Sequence, residues 1–447
     1  MSLARPALAP AGRSPRSLLG AAAMAVVAVG AAFAASRWPV LAIGGAVAVL
    51  AVGVVLSRLL LAASLLAASF FFTNYLNSGV GLLTPDKAIG GIALLAWALE
   101  WGTGARRVVV VRHMWPLLGL ALWIGVSITV ARDDQAALTT TVRYLLFFIL
   151  FFLTVQTIRG DRRRAEAMAT VVVAAAAVAG FIGLVEFFGH HVQRARGPLS
   201  DPNDFGFLLG STVPLAVYRL RWSATRAGRV ACAVALVVTF AAILATFSRS
   251  ALLGLAAAGA WSVATRRIKL RWGVAALACL AAIALVGLAV EPQVVRSAFG
   301  EKAAIADTNV STRLLLWRVA LQEFSSAPVT GVGPGNYERR FQEFAATPSP
   351  DLATFTTHNA YLNVLAELGL PGFFLFVGFL AMSWASLRRR FPSRPQADSL
   401  QGALAAGFLV AAVGSMFLTE QFYPPLWFLS ALGVSLAAGP EAARPQA

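Results

Sequence analysis

The chain has 447 residues, of which 58% are hydrophobic and only 13% charged, with a formal net charge of +17. That balance excludes an ordinary soluble domain, where charged residues make up about a quarter. A nucleic-acid binder is disfavoured too, because the basic residues lie in short loops between apolar runs, a distribution set by membrane topology.

In chain order, a basic, Pro-rich head (1–17) precedes the first apolar run. No small-residue cleavage site stands out after that run, so the head reads as a cytoplasmic tail before a retained helix. Predicted spans then follow at Leu18–Ala35, Val40–Leu56, Leu59–Phe72, Ala88–Leu99, Trp115–Val130, Val142–Ile158, Met168–Phe188, Phe205–Tyr218, Val230–Phe247, Ala251–Ala264 and Gly273–Val290. A long connection, 291–357, leads to a segment from His358 to Leu387, then Ala403–Phe417 and Leu426–Leu436, with 439–447 as a second tail. The expected fold is an all-α polytopic bundle of about 12 to 14 membrane helices, with a bundle at 18–290, C-terminal spans at 358–438, and short helices in the long loop.

Arginine and lysine set the orientation. Arg106, Arg107 and Arg112; Arg159 and Arg162–Arg164; Arg219, Arg221, Arg226 and Arg229; Arg266, Arg267, Lys269 and Arg271; and Arg388–Arg390 with Arg394 all fall in alternate loops. Those loops are assigned to the inside by the positive-inside rule. The outer loops hold a few isolated cations. "GHHVQRARGPLSDPNDFG" carries Arg194 and Arg196, the turn "FSRS" puts Arg249 at the membrane edge, and the long loop carries Arg313 and Arg318 before reaching His358.

Each has a plain structural account as well. An arginine at a helix end can snorkel, Arg196 can be a solvated loop charge, and Arg313 with Trp317 suits one face of an amphipathic helix. Glu186, near the outer end of a span, is either functional or paired with a neighbouring helix. Adjacent His190 and His191 point apart on a helix end and lack a third ligand, and His113 lies in a basic loop. "GVGPGNY" carries Pro334 and lacks a strand–turn–helix setting, so it reads as a turn rather than a phosphate loop. Cys232 and Cys279 fall inside apolar runs, which supports neither a disulfide nor a zinc site. The outer loops contain no D-x-D pair to hold a divalent cation.

From His358 to Arg388 a helix would run roughly 45 Å, against a hydrocarbon core of about 30 Å. His358 therefore stands above the core, or its helix kinks. "GLPG" supplies a kink at Pro371, and Gly369 and Gly372 allow another helix to approach closely. A neutral imidazole at the mouth of the bundle could take a proton from a hydroxyl, and nearby guanidiniums could hold a phosphate bidentately.

"HNAYLNVLAELGLPG" resembles the H-[NSQ]-x9-G-x-x-G pattern of bacterial O-antigen ligases, with His358, Asn359, Gly369 and Gly372 in register. "RGPLSDPNDFG", "FSRSALLGL" and "TRLLLWRVALQEF…PVTGVGPGNY" look like other recurrent stretches of the wider ligase and polymerase superfamily. The resemblance implies a GT-C-like glycosyltransferase of the bacterial inner membrane, facing the periplasm and working without a metal or other cofactor. The implied donor is a glycan on undecaprenyl diphosphate and the implied acceptor is lipid A–core, in a setting of membrane lipids with no nucleic acid. Carried over by position, His358 is the implied base and Arg196, Arg249 and Arg313 (or Arg318 as the loop arginine) the diphosphate ligands. Asn203, Asn359, Gly369 and Gly372 are supporting residues. O-antigen or exopolysaccharide polymerases and protein O-oligosaccharyltransferases share this pattern and remain open. A transporter of lipid-linked sugar fits less well, because such proteins place charges near the midplane and often show internal repeats.

Overall fold

The apolar runs among the described residues fold as helices. The computed structural model describes residues 58–76, 85–104, 108–190, 192–271, single positions between 273 and 292, 306–345 and 356–438. The predicted spans Leu18–Ala35 and Val40–Leu56, most of Gly273–Val290, and both tails lie outside the described residues.

Among the described residues, the longer helices ahead of the long loop are α1 (Leu59–Ser69), α2 (Pro85–Gly102), α3 (Met114–Ser127), α4 (Asp134–Ile158), α5 (Arg162–Gly189), α6 (Pro202–Trp222), α7 (Arg226–Thr246) and α8 (Arg249–Ala264). Within and beyond the loop come α9 (Ala306–Ser326), α10 (Tyr337–Phe344), α11 (Ala360–Leu387), α12 (Pro395–Gly414) and α13 (Pro424–Ala438). Among these, α4, α5, α7, α11 and α12 are long and apolar enough to cross a membrane. Shorter apolar helices occupy 59–75, 114–130 and 424–438. The chain is a polytopic helix bundle, and no strand occurs among the described residues.

Several helices start before their apolar run, and the caps explain where. Asp133 accepts the N–H of Ala136 at 2.9 Å, so α4 begins at Asp134 rather than Val142. Asp161 caps α5 through Arg163 N at 2.8 Å, and Thr225 caps α7 through Gly228 N at 3.0 Å. Each carboxylate or hydroxyl satisfies a backbone donor that the first turn leaves open. In the long loop, α9 runs for 21 residues, well beyond a short helix.

Packing in the bundle interior is aromatic around α13. Trp427 is fully buried and stacks on Phe379 with centroids 5.2 Å apart, with Phe376 and Phe147 at 6.0 and 6.2 Å. That cluster ties α4, α11 and α13 together. Beside it α6 packs against α5, α7, α8 and α12. The α6–α12 contact is close enough that a Cβ on Gly407 would stand 2.6 Å from the Ser211 carbonyl oxygen. Small residues at such crossings let backbones touch where water provides no driving force between helices.

The predicted inward loops gather at one end of the bundle. There Glu166 accepts from Arg162 at 2.8 Å and Gln396 at 2.9 Å and from the Tyr218 hydroxyl, joining α5, α6 and α12. Arg267 lies 3.6 Å from Asp398 and donates to the Arg388 and Arg389 carbonyls. His113 is buried at this end, its Nε2 3.3 Å from the Ser386 hydroxyl. The cations of the predicted outer loops collect at the opposite end, with His358.

Candidate active site

His358 occupies the turn into α11, and every neighbour in that turn is pinned. Asn359 is the N-cap, its Oδ1 accepting from Tyr361 N and Leu362 N at 3.1 Å each. The Thr357 hydroxyl donates to Asn359 O at 2.8 Å, and the Thr357 carbonyl accepts from Trp317 Nε1 of α9 at 3.1 Å. Ala360 N donates to the Ser415 and Leu418 carbonyls. Between these anchors His358 is forced to φ 48°, the left-handed region that side-chain-bearing residues rarely adopt. The asparagine after the histidine is thus a helix cap, and Trp317 holds the histidine's loop.

The helix break lies at Gly369, two residues before Pro371. Gly369 has φ 63° and ψ −168°, a conformation only glycine takes readily. The break frees the carbonyls of the preceding turn, and each finds a donor from elsewhere. Val332 N donates to Ala366 O at 2.9 Å, Gly333 N to Glu367 O at 3.0 Å, and Trp123 Nε1 to Leu368 O at 2.7 Å. Ser127 adds its hydroxyl to Thr330 O at 2.7 Å and Glu367 O at 3.1 Å.

"GVGPGNY" is therefore a strap laid across the break. A Cβ on Gly369 would sit 2.1 Å from Val329 O, and one on Gly331 would sit 2.3 Å from the Glu367 backbone. The expectation that Gly369 admits another helix is corrected here, since it faces the strap. Gly372 does admit one, with Trp123 of α3 3.1 Å from where its Cβ would be. The strap also anchors to α4, as Asn336 Oδ1 accepts from Arg132 N and Asp133 N at 2.9 Å.

Arg313 and Asp201 lie within electrostatic reach of His358, and Arg249 within reach of Arg313. Burial, and then the Arg313 guanidinium, hold the His358 imidazole below the ordinary histidine range, while Asp201 pulls the other way. Burial thus favours the neutral ring, the form that accepts a proton. Arg313, on α9, is lowered by burial and by Arg249 and raised by Asp201. Arg249 is the first residue of α8, exposed, at the tight turn set by Phe247 at φ 50°. That turn abuts α6, where a Cβ on Gly206 would stand 2.7 Å from Ser248 Cβ. Neither Arg249 nor Arg313 has a carboxylate within salt-bridge distance among the described residues, and the two guanidiniums lie within electrostatic reach of each other.

Arg196 is placed differently. Its Nε lies 3.0 Å from Glu186, whose other oxygen accepts Gly197 N at 2.9 Å, and its side chain is 57% exposed. Glu186 is therefore a pairing partner within this outer loop. Arg318 is exposed on α9. Asn203 accepts from Arg194 at 2.7 Å, and Arg194 also donates to Thr246 O at 2.8 Å, fastening the "DPN" segment to the α7–α8 turn. Asp204 accepts from the Tyr423 hydroxyl at 2.6 Å. Arg194 and Asp201 were not singled out from sequence as site residues. The alternation of acids and bases in "RARGPLSDPND" was the available signal, but an aspartate before a helical proline reads first as a cap.

A polytopic helix bundle with a neutral histidine and unpaired arginines at one end has the makings of a membrane-embedded group-transfer enzyme. Residues 234–377 match the family model described as O-Antigen ligase (Wzy_C). That stretch contains Arg249, Arg313, His358, Asn359, Gly369 and Gly372, and excludes Arg194, Arg196, Asp201 and Asn203. The match covers about a third of the chain, so it is residues 234–377 that resemble an O-antigen ligase domain, within a polytopic helix bundle. No curated protein matches the sequence.

Proposed function

We propose that the protein is an O-antigen ligase that transfers a glycan from undecaprenyl diphosphate to a sugar hydroxyl of lipid A–core, at the periplasmic face of the inner membrane. The observation that carries this reading is a buried imidazole held below the ordinary histidine range, with the Arg313 guanidinium in electrostatic reach and Arg249 in reach of Arg313. His358 takes the proton of the acceptor hydroxyl, and the oxygen attacks the anomeric carbon. The bond from that carbon to the phosphate oxygen breaks with inversion, and undecaprenyl diphosphate leaves. Arg249 and Arg313 meet the charge that develops on the leaving oxygens, where fixed donors are worth most. Arg196 reaches the diphosphate only by exchanging Glu186 for phosphate. Its role is therefore conditional on donor binding.

The basic end of the bundle supports the orientation, since cations concentrate on the cytoplasmic side. The test is transfer by purified protein in liposomes, with lipid-linked glycan and lipid A–core, in EDTA, comparing wild type with His358→Ala. A glycan block on the core that disappears in the variant supports the ligase. Lengthening of the donor glycan with the core untouched identifies a polymerase. Activity only on protein serine or threonine identifies a protein O-oligosaccharyltransferase.

A further inference from the structure

Arg249 and His358 stand on different elements, one heading α8 and the other in the turn that enters α11. A run of hydrogen bonds joins the two. On the arginine side, the α7–α8 turn is fastened to the loop before α6 by Ala195 N donating to Ala245 O at 2.9 Å and Arg194 Nε donating to Thr246 O at 2.8 Å. Arg194 continues to Asn203 Oδ1 at 2.7 Å, which ties that turn to the first residues of α6. On the histidine side, the α12–α13 connection (415–423) grips the turn from both flanks of His358. Ala360 N donates to Ser415 O and Leu418 O at 2.9 Å each, and Thr419 Oγ1 donates to Thr356 Oγ1 at 2.8 Å.

The Tyr423 hydroxyl closes the circuit. It donates to Asp204 Oδ2 at 2.6 Å, and its ring meets Phe207 edge-on with centroids 6.4 Å apart. Asp204 follows Asn203 in the first turn of α6, but the helix does not need it as a cap. That task falls to Asp201, whose Oδ1 accepts Asn203 N and Asp204 N. Tyr423 is itself fixed locally. Pro424 restricts it to extended backbone, Gln421 O accepts Trp427 Nε1 at 2.9 Å, and Phe422 packs edge-on against Tyr144 at 5.0 Å. Asp204 and Tyr423 lie on either side of the matched stretch 234–377 and outside it.

We propose that Tyr423 is a positioning residue for the transfer reaction, its bond to Asp204 setting the His358 turn in register with the Arg249 turn. The inference rests on the reading of His358 as the base and Arg249 as a ligand of the leaving diphosphate. In an inverting displacement the attacking oxygen and the leaving oxygen sit on opposite sides of the anomeric carbon. The group that takes the proton and the group that meets the diphosphate must therefore keep a fixed separation, and a misplacement of about 1 Å can cost about a hundredfold in rate. Tyr423 touches neither reacting group and acts through the loop that holds the base.

The test starts from Tyr423→Phe, which removes the hydroxyl and keeps the ring against Phe207. In the liposome transfer assay kcat is expected to fall about tenfold, with donor KM changing by less than about twofold. Asp204→Ala cuts the same bond from the other partner, so it should cause a similar fall, and the double variant should fall no further than either single one. Asp204→Asn, which keeps an oxygen for the hydroxyl, should retain most of the turnover. Hydrogen exchange followed by mass spectrometry in nanodiscs should show the amides of 356–360 exchanging faster in Tyr423→Phe than in wild type.

Wild-type kcat in Tyr423→Phe overturns the inference, as does a raised donor KM with kcat unchanged. Losses that multiply in the double variant overturn it too, because the two residues would then act separately. A loss in Asp204→Asn equal to that in Asp204→Ala assigns the effect to charge and overturns the role of the bond. Unchanged exchange at 356–360 overturns the link to the histidine turn whatever the activity shows. If His358→Ala transfers glycan normally, the base reading fails and the positioning role falls with it, while faster exchange in Tyr423→Phe still reports the mechanical link.

Discussion

Gly369→Ala tests whether the strap over the helix break organises the site. Gly369 sits at φ 63° and ψ −168°, where a side chain costs about 1–3 kcal/mol in backbone strain alone. The new Cβ would also stand 2.1 Å from Val329 O and 2.5 Å from Val329 C, both backbone atoms that cannot rotate away. Relief requires the strap to lift, which strains or breaks Val332 N to Ala366 O, Gly333 N to Glu367 O and Leu370 N to Pro328 O. At about 1 kcal/mol for each hydrogen bond, the total destabilisation is about 4 kcal/mol or more.

The strap joins α9 to α10, so lifting it also disturbs Arg313 and the Trp317 anchor of the histidine turn. Thermal unfolding in detergent should show a large fall in Tm, and limited proteolysis should cut near 329–336 faster than in wild type. Gly378→Ala is the control, since a Cβ there meets nothing within 4 Å in the same helix. That variant should be neutral or slightly stabilising, by up to about 1 kcal/mol. A Gly369→Ala protein with wild-type Tm and protease resistance would refute the strap as the element that fixes the break.

Arg249→Gln and Arg313→Gln should each lower kcat/KM for the lipid-linked donor by about a hundredfold, with the lysine variants partly active, measured by steady-state transfer. Glu323 on α9 is fully buried with both carboxylate oxygens unpartnered, and burial, then Glu367, push its pKa up to about 9. The folded state thus holds the proton more tightly than the unfolded chain. Folding is unpenalised below the ordinary value of 4.5 and loses stability as pH rises toward 9, by at most about 1.4 kcal/mol per unit. Glu323→Gln should accordingly raise Tm relative to wild type more at pH 8 than at pH 5. An equal difference at the two pH values would contradict this. Asn359→Ala should cost about 1 kcal/mol of stability and reduce turnover by loosening the histidine turn, and Asn359→Ser should restore most of both.

Helix type and the sites of most helices were legible because an apolar run of bilayer length has few other folds. Helix starts were less so, since α4 and α5 extend past their apolar runs along polar turns that hydropathy does not count. The histidine, the loop arginine at 313 and the glycines of the break were visible as a motif. Their partners were not. Asp201 looked like a cap, Glu186 could have been functional, and nothing local distinguished Arg196, which Glu186 holds, from Arg249, which has no carboxylate partner.

Composition and the spacing of cations were enough to decide that this chain is a membrane helix bundle with a basic end and a sparsely charged one. Those properties follow from the bilayer, which acts on each segment separately and leaves its mark in local sequence. The electrostatic reach of Arg313 to both Arg249 and His358, and the strap that crosses the break at Gly369, depend on the meeting of residues far apart in the chain. Such contacts are set by helix packing and loop closure, and only the assembled bundle decides them.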